Sequence, residues 1–424
     1  MTASQLLRPL DSIESSGPFA LLPSHVHVRP QTCKVDIPAT EIAELRSLVQ
    51  KARLGPVTFE NSQARTNTEF GLTRSWMNET VKTWTSESAF NWQKIQNNIN
   101  STPHFTSQVD HNGQSFSIHY MALWSQRPDA TPLVCIHGWP GCFLEYLAIA
   151  KLLQSKYSPE TLPYHLIVPS LPGYTFSSGP PVDGADFSTY DVSCIFRKLF
   201  NDHLGFEKYM VAGGDIGSRV CRALAADDEN CIGIHLTFCF DFDMRNFPRQ
   251  GLTDNELRDI DTIYEFIRTG AAYAQMHARR SSTIGFVLSS NPVALLAWIA
   301  EKFLEWTDIT PDIETILTFV TLYWVTDTFP RSIYPYRHDF APNENVPCHG
   351  DAARWLIPKN KIFGYSHFPK EILPVPRAWV ERTGAAGAVT FWRKHDQGGH
   401  FAGVEVPGAL LEDLEGFVKH ANQS

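Results

Sequence analysis

The run Val211-Ala212-Gly213-Gly214-Asp215-Ile216-Gly217-Ser218 places a carboxylate among small residues directly after an apolar segment, Lys208 to Ala212. A strand, a small-x-nucleophile-x-small turn and a helix together make a nucleophile elbow, in which glycines let strand and helix approach while the central side chain projects from the sheet edge. The plainer reading is a Gly-rich turn whose aspartate caps a helix. As a nucleophile, Asp215 would do different chemistry from a serine at that place. A carboxylate displaces a leaving group from saturated carbon and leaves an alkyl ester that water must then cleave. The substrate should therefore carry an electrophilic sp³ carbon.

Cleaving that ester needs a base and an oxyanion hole. Gln397-Gly398-Gly399-His400-Phe401 sets a histidine in a Gly-rich loop late in the chain, where the order nucleophile, acid, histidine expects it. Glu371, in Phe368-Pro369-Lys370-Glu371, is the candidate that orients the imidazole, since Asp396 is too near His400 in sequence to be independent of its loop. His137-Gly138-Trp139-Pro140 follows the strand-like Pro132 to Ile136, so the N–H groups of Trp139 and Ile216 form the expected oxyanion pair. His137, His395 and His400 match neither H-E-x-x-H nor a Cys/His cluster, and no metal or other cofactor is expected.

These residues need a scaffold with parallel strands. Gln114 to Trp124 alternates as a half-buried strand does, and short apolar runs follow at Pro132 to Ile136, Tyr164 to Val168 and Lys208 to Ala212, with a helical stretch at Tyr190 to Leu204. Strands alternating with helices predict an α/β fold with a mostly parallel sheet. From about Phe240 to Phe340 the pattern is helical, with candidates at Asn255 to Arg268, Ser282 to Leu288, Pro292 to Trp306 and Ile313 to Thr326, and reads as an insertion. Strand-like pieces return at Lys361 to Phe363 and Ala388 to Trp392 before a helix at Pro407 to Ala421. Before Gln114 the chain is polar and broken, with helical patterns at Thr40 to Ala52 and Thr73 to Trp84.

The 424 residues exceed one compact core, and 43% hydrophobic with 19% charged residues describe a globular chain. A net charge of −9 provides no basic stripe for nucleic acid or an anionic membrane. The longest nearly apolar stretch, Pro292 to Ala300, falls short of the ~20 residues a spanning helix needs. With no apparent signal sequence and eight scattered cysteines lacking a C-x-x-C pair, a cytoplasmic protein with reduced thiols is expected.

Taken together, HGWP, PSLPGYTFS (Pro169 to Ser177), GGDIGS (Gly213 to Ser218), FPKE and GGHF (Gly398 to Phe401) resemble the epoxide hydrolases of the α/β-hydrolase fold, in their microsomal-type branch with its soluble fungal members. KVDIP (Lys34 to Pro38) and FGLTRSWM (Phe70 to Met77) resemble that branch's N-terminal segment, so the likeness covers nearly the whole chain. It implies an N-terminal extension over residues 1–112 wrapping the core, core segments at 113–240 and 346–424, and a helical cap at 241–345. It also implies two acid tyrosines from the cap. The segment from Ala272 to Thr283 is similar to the first cap motif and carries Tyr273. Phe329 to Arg337 is similar to the second, where Tyr336, next to Arg337, is preferred over Tyr334. A phenol with a pKa near 10 in water can protonate the alkoxide of an opening epoxide while remaining neutral at pH 7. Ile216 departs from the tryptophan common in that branch, a change of pocket shape rather than of the backbone N–H, and no counterpart of the mammalian membrane helix is seen.

The implied activity is hydration of apolar aryl or alkyl epoxides to vicinal diols in detoxification and aromatic-compound metabolism, with residues between Phe286 and Trp298 lining the pocket and a homodimer possible. The rival readings are a haloalkane dehalogenase, which needs no phenolic acid, and a catalytically silent scaffold.

Overall fold

The structure is a computed structural model and describes residues 3–10, 17–62, 70–183, 186–240, 244, 246–340, 356–385, 387 and 389–423. The expected cap boundaries at 241 and at 345–346, and Cys348, lie outside the described residues.

Among the described residues ten strands form one sheet: β1 Leu7–Pro9, β2 Gln31–Val35, β3 His104–His111, β4 Gln114–Leu123, β5 Leu133–Ile136, β6 Leu166–Pro169, β7 Tyr209–Gly213, β8 Cys231–Leu236, β9 Ile362–His367 and β10 Val389–Lys394. Their order is β1-β2-β3-β4-β6-β5-β7-β8-β9-β10. Pairing is antiparallel from β1 through β4 to β6 and parallel from β6 to β10. The strands β5, β6 and β7 are buried along their whole length. Their sequences LVCI, LIVP and YMVAG accordingly read as continuous apolar runs rather than alternations, as a sheet covered on both faces requires. The helix Asp215–Asp227 packs with Thr189–Lys198, and Pro407–Ala421 packs with Leu147–Lys156 and against β8 to β10. This is the α/β-hydrolase architecture.

The segment before Gln114 supplies three strands as well as helices, where the sequence reading expects helices and loops. Gln31–Val35 and His104–His111 carry enough polar residues to hide their period, yet each pairs along an antiparallel neighbour. The helices Ala39–Lys51 and Arg74–Thr85 pack on the helical layer between β8 and β9, where the Trp84 indole N–H donates to Thr321 Oγ1 at 3.0 Å. That layer comprises Asp254–Glu265, Ala272–Arg279, Ser281–Ser289, Pro292–Glu305, Ile313–Val325, Thr328–Ser332 and Pro335–Phe340. Among the described residues no single helix is long and apolar enough to cross a membrane.

Candidate active site at the carboxyl edge of the sheet

The strand β7 ends at Gly213, and the following helix opens at Asp215 itself with Gly214 as its cap, three residues before the expected start at Ser218. Asp215 has φ +44°, in the left-handed region that costs a non-glycine residue about 1–3 kcal/mol. The backbone is held there by its surroundings, including Ser218 Oγ–H, which donates to the Asp215 carbonyl at 2.6 Å. Glycine at 217 is a matter of space. A Cβ there would stand 2.2 Å from the Ile136 carbonyl oxygen, and one on Gly138 would stand 2.4 Å from Asp215 Oδ1. The glycines thus let the end of β5, the elbow and the carboxylate occupy one small volume.

Within that volume the carboxylate has two partners. The Trp139 N–H donates to Oδ1 at 2.8 Å, and His400 Nε2 lies 3.6 Å from Oδ2. On the far side of the imidazole, Nδ1–H donates to Glu371 Oε1 at 2.6 Å, and the same oxygen accepts the Ile372 N–H at 2.7 Å. Asp215, His400 and Glu371 follow β7, β10 and β9, and Trp139 follows β5, so four parallel strands deliver them to one edge. Ile216 is the second residue of its helix, so its N–H has no intrahelical acceptor. Burial alone would push the His400 imidazole down, but the Glu371 charge and hydrogen bond, with Asp215 and Glu145 adding to them, raise it to about 9. The other two histidines weighed for metal stand elsewhere: His137 Nε2 accepts the Leu171 N–H, and His395 pairs with Asp413.

Glu145 is a site residue that motif reading passes over. It follows HGWP by five positions in the short helix Phe143–Tyr146, and its carboxyl faces a small cavity of about 20 Å³ shared with Gly138, Asp215, Thr237 and His400. That volume suffices for one water molecule. Burial pushes the Glu145 carboxyl up to about 8, with Asp215 adding to the rise while His400 and the Gly138 N–H oppose it. The usable signal was an acid inside the apolar run Cys142 to Ile149, which only a polar interior would accommodate.

Above the carboxylate, rings organise the cap. The Trp139 indole stacks on Tyr273 with centroids 5.2 Å apart, and meets His277 at 4.5 Å and Tyr336 at 5.9 Å edge-on. Tyr273 and Tyr336 are themselves 5.9 Å apart. Burial, then Tyr273 and Asp215, hold the Tyr336 phenol well above its usual value, so it is neutral across the physiological range. Tyr334 points elsewhere, with its ring against Phe187 at 5.2 Å and facing a separate cavity with Arg331 and Arg337. The expectation that Phe286 to Trp298 lines the pocket fails at its start. Phe286 is 77% exposed and Val287 is also exposed, because the nine-residue helix Ser281–Ser289 buries Ile284 and Leu288 and turns these two outward. The rings packed on Trp139 and His400 are instead Trp306, Phe238, Phe329 and His277.

Two family models match the chain: "Epoxide hydrolase N terminus" over residues 30–146 and "alpha/beta hydrolase fold" over residues 131–237. The chain is 38% identical over 94% of its length to a protein of Dothistroma septosporum assigned to the epoxide hydrolases, 92% of which is covered. The solved epoxide hydrolase of Aspergillus niger is 42% identical and superposes with a TM-score of 0.85, covering 96% of this chain and 100% of that one. At 23% identity, the juvenile hormone epoxide hydrolase of Bombyx mori shares the fold with a TM-score of 0.80 over 94% of this chain and 96% of its own. A dehalogenase is not favoured by these likenesses. By identity across nearly its whole length, this chain belongs to the epoxide hydrolases of the α/β-hydrolase fold, enzymes that hydrolyse the ether bond of an epoxide.

Proposed function

We propose that Asp215 is the nucleophile of a two-step epoxide hydration in which Tyr273 and Tyr336 act as acids, His400 as base and Glu371 as its orienting group. The observation that supports this most is the Asp215 carboxylate, held by the Trp139 N–H on one oxygen and facing His400 with the other. An Asp215 oxygen attacks the ring carbon, the C–O bond breaks, and a tyrosine hydroxyl gives its proton to the leaving oxygen. The hydroxyalkyl ester that forms has lost the Asp215 charge. That loss removes one of the influences holding His400 protonated, so alkylation itself leaves more of the imidazole in the neutral form that can accept a proton.

His400 then takes a proton from water, whose oxygen attacks the ester carbonyl. The oxyanion is received by the N–H groups of Trp139 and Ile216. We place this water in the small cavity between His400 and Glu145. The tetrahedral intermediate expels the diol alkoxide, which is protonated by His400, and the proton left on the regenerated carboxyl returns to the tyrosine. Atoms balance as epoxide plus water to vicinal diol. The aromatic walls support an apolar aryl or alkyl epoxide as substrate, in a detoxifying or aromatic-compound role. Buried cysteine side chains favour a reducing, cytoplasmic setting, and the exposed Phe286 and Val287 supply apolar area for a homodimer.

The test is His400→Gln pulsed with an aryl epoxide and weighed intact. A one-to-one adduct on the Asp215 peptide is expected. A folded variant without adduct, beside wild-type protein that makes diol, would replace the covalent route with direct attack by water.

A further inference from the structure

The cap buries a lysine where the proposed chemistry makes negative charge. Lys302, on the helix Pro292–Glu305, has a side chain only 4% exposed. A buried ammonium carries a desolvation penalty of several kcal/mol, which a merely structural lysine avoids by reaching solvent. Its Nζ instead lies over the Tyr273 ring, 4.6 Å from the centroid, with the rings of Trp306 at 5.6 Å and Trp298 at 6.0 Å. Its acidic neighbour is Glu301, with which it pairs. The Glu301 side chain is one-third exposed and turns outward to a separate cavity beside Gly71 and Arg74. Glu301 thus meets the ammonium from the outer side through Oε1 while its Oε2 turns toward Gly71, and the inner side of the ammonium lies on the phenol ring. The adjacent His277 accepts the Trp298 indole N–H at Nε2, and burial followed by the Lys302 charge pushes it down to about 3, so this imidazole is neutral.

We infer that Lys302 is a positioning residue whose buried ammonium, seated on the Tyr273 ring, stabilises the phenol oxygen as it gives its proton to the opening epoxide. Negative charge on that oxygen is delocalised into the ring beneath the ammonium, where low polarity preserves the attraction. The effect belongs to alkylation alone, because ester hydrolysis builds its charge at Trp139 and Ile216. The inference rests on the proposed role of Tyr273, and the experiment separates the two.

Lys302→Met keeps the length and apolar stem while removing the charge, and Lys302→Arg keeps a cation. Alkylation and ester hydrolysis are timed separately in single turnovers by quenched-flow mass spectrometry, for each variant with Tyr273 and with Tyr273→Phe. The expected result is alkylation about tenfold slower in Lys302→Met, equivalent to about 1.4 kcal/mol, with hydrolysis within about twofold and Lys302→Arg recovering most of the loss. In the Tyr273→Phe background Lys302→Met should then change alkylation by less than about twofold, since coupled residues are not additive. Equal losses in both backgrounds, or parallel losses in both steps, would make Lys302 a packing element and overturn the inference. If Tyr273→Phe alone leaves alkylation untouched, the role of Tyr273 fails first and the inference falls with it.

Discussion

The sheet edge and the cap hold their candidate residues by different physics. At the edge, Asp215, His400 and Glu371 are joined by directed polar contacts of 2.6 to 3.6 Å. In the cap, Tyr273 and Tyr336 are set chiefly by ring packing around Trp139, with centroids 5.2 to 5.9 Å apart, and by a side-chain hydrogen bond between the two hydroxyls. Polar contacts fix atoms to tenths of an ångström, whereas packed rings fix planes and tolerate exchange of neighbours. A family can therefore vary its cap and its substrates while keeping one chemistry at the edge.

The comparison breaks most severely if the cap's phenols are removed together. Tyr273→Phe with Tyr336→Phe should slow alkylation by about 10²–10⁴-fold, the usual worth of a positioned acid, while any ester formed hydrolyses normally. Single-turnover timing of both steps checks this, and a loss confined to hydrolysis would place the phenols at the wrong step. A smaller effect is expected at the edge. Glu145→Gln should slow ester hydrolysis about tenfold and leave alkylation unchanged, as for a group that holds water rather than attacks. The Glu145 carboxyl, pushed up from 4.5 to about 8, binds its proton more tightly folded than unfolded, so wild-type stability falls as pH rises through that window. The glutamine variant should gain melting temperature over wild type between pH 5 and about 8. The smallest effect sharpens the contrast between the two tyrosines of the second cap motif. The Tyr334 hydroxyl is buried with no hydrogen-bond partner among the described residues, so Tyr334→Phe should alter turnover by less than about twofold and leave stability equal or slightly higher, by up to about 1 kcal/mol in chemical denaturation.

The sequence is most legible where geometry demands particular residue types. The elbow at Gly213–Gly217 can be read because almost no other composition lets β5, β7 and the helix meet, and HGWP, FPKE and GGHF sit where parallel strands must end. The strand β8 was missed because Gly233 and His235 interrupt its apolar run. In the fold that histidine is fully buried and hydrogen-bonds Ser366 across to β9 at 3.0 Å, a partner 131 residues away that no local window contains. Glu145 was missed for the same reason, its company being tertiary. At Phe286 the error was one of direction, since the apolar helix Ser281–Ser289 has two apolar faces and composition does not say which one turns inward.

The cap leaves the sheet after β8 and returns as β9, and these two strands are immediate neighbours, with Gly233 opposite Ile362 and Leu236 opposite Tyr365. Adjacent strands lie only about 4.8 Å apart. The insertion thus enters and leaves through one narrow doorway, and its length places little demand on the sheet it interrupts. For engineering, a foreign helical layer can be joined at these two strands, but it must also supply what the cap gives the base loop: the Trp306 carbonyl that accepts the His400 N–H at 2.9 Å and the Asp308 carboxylate that accepts the Gly398 N–H at 3.0 Å.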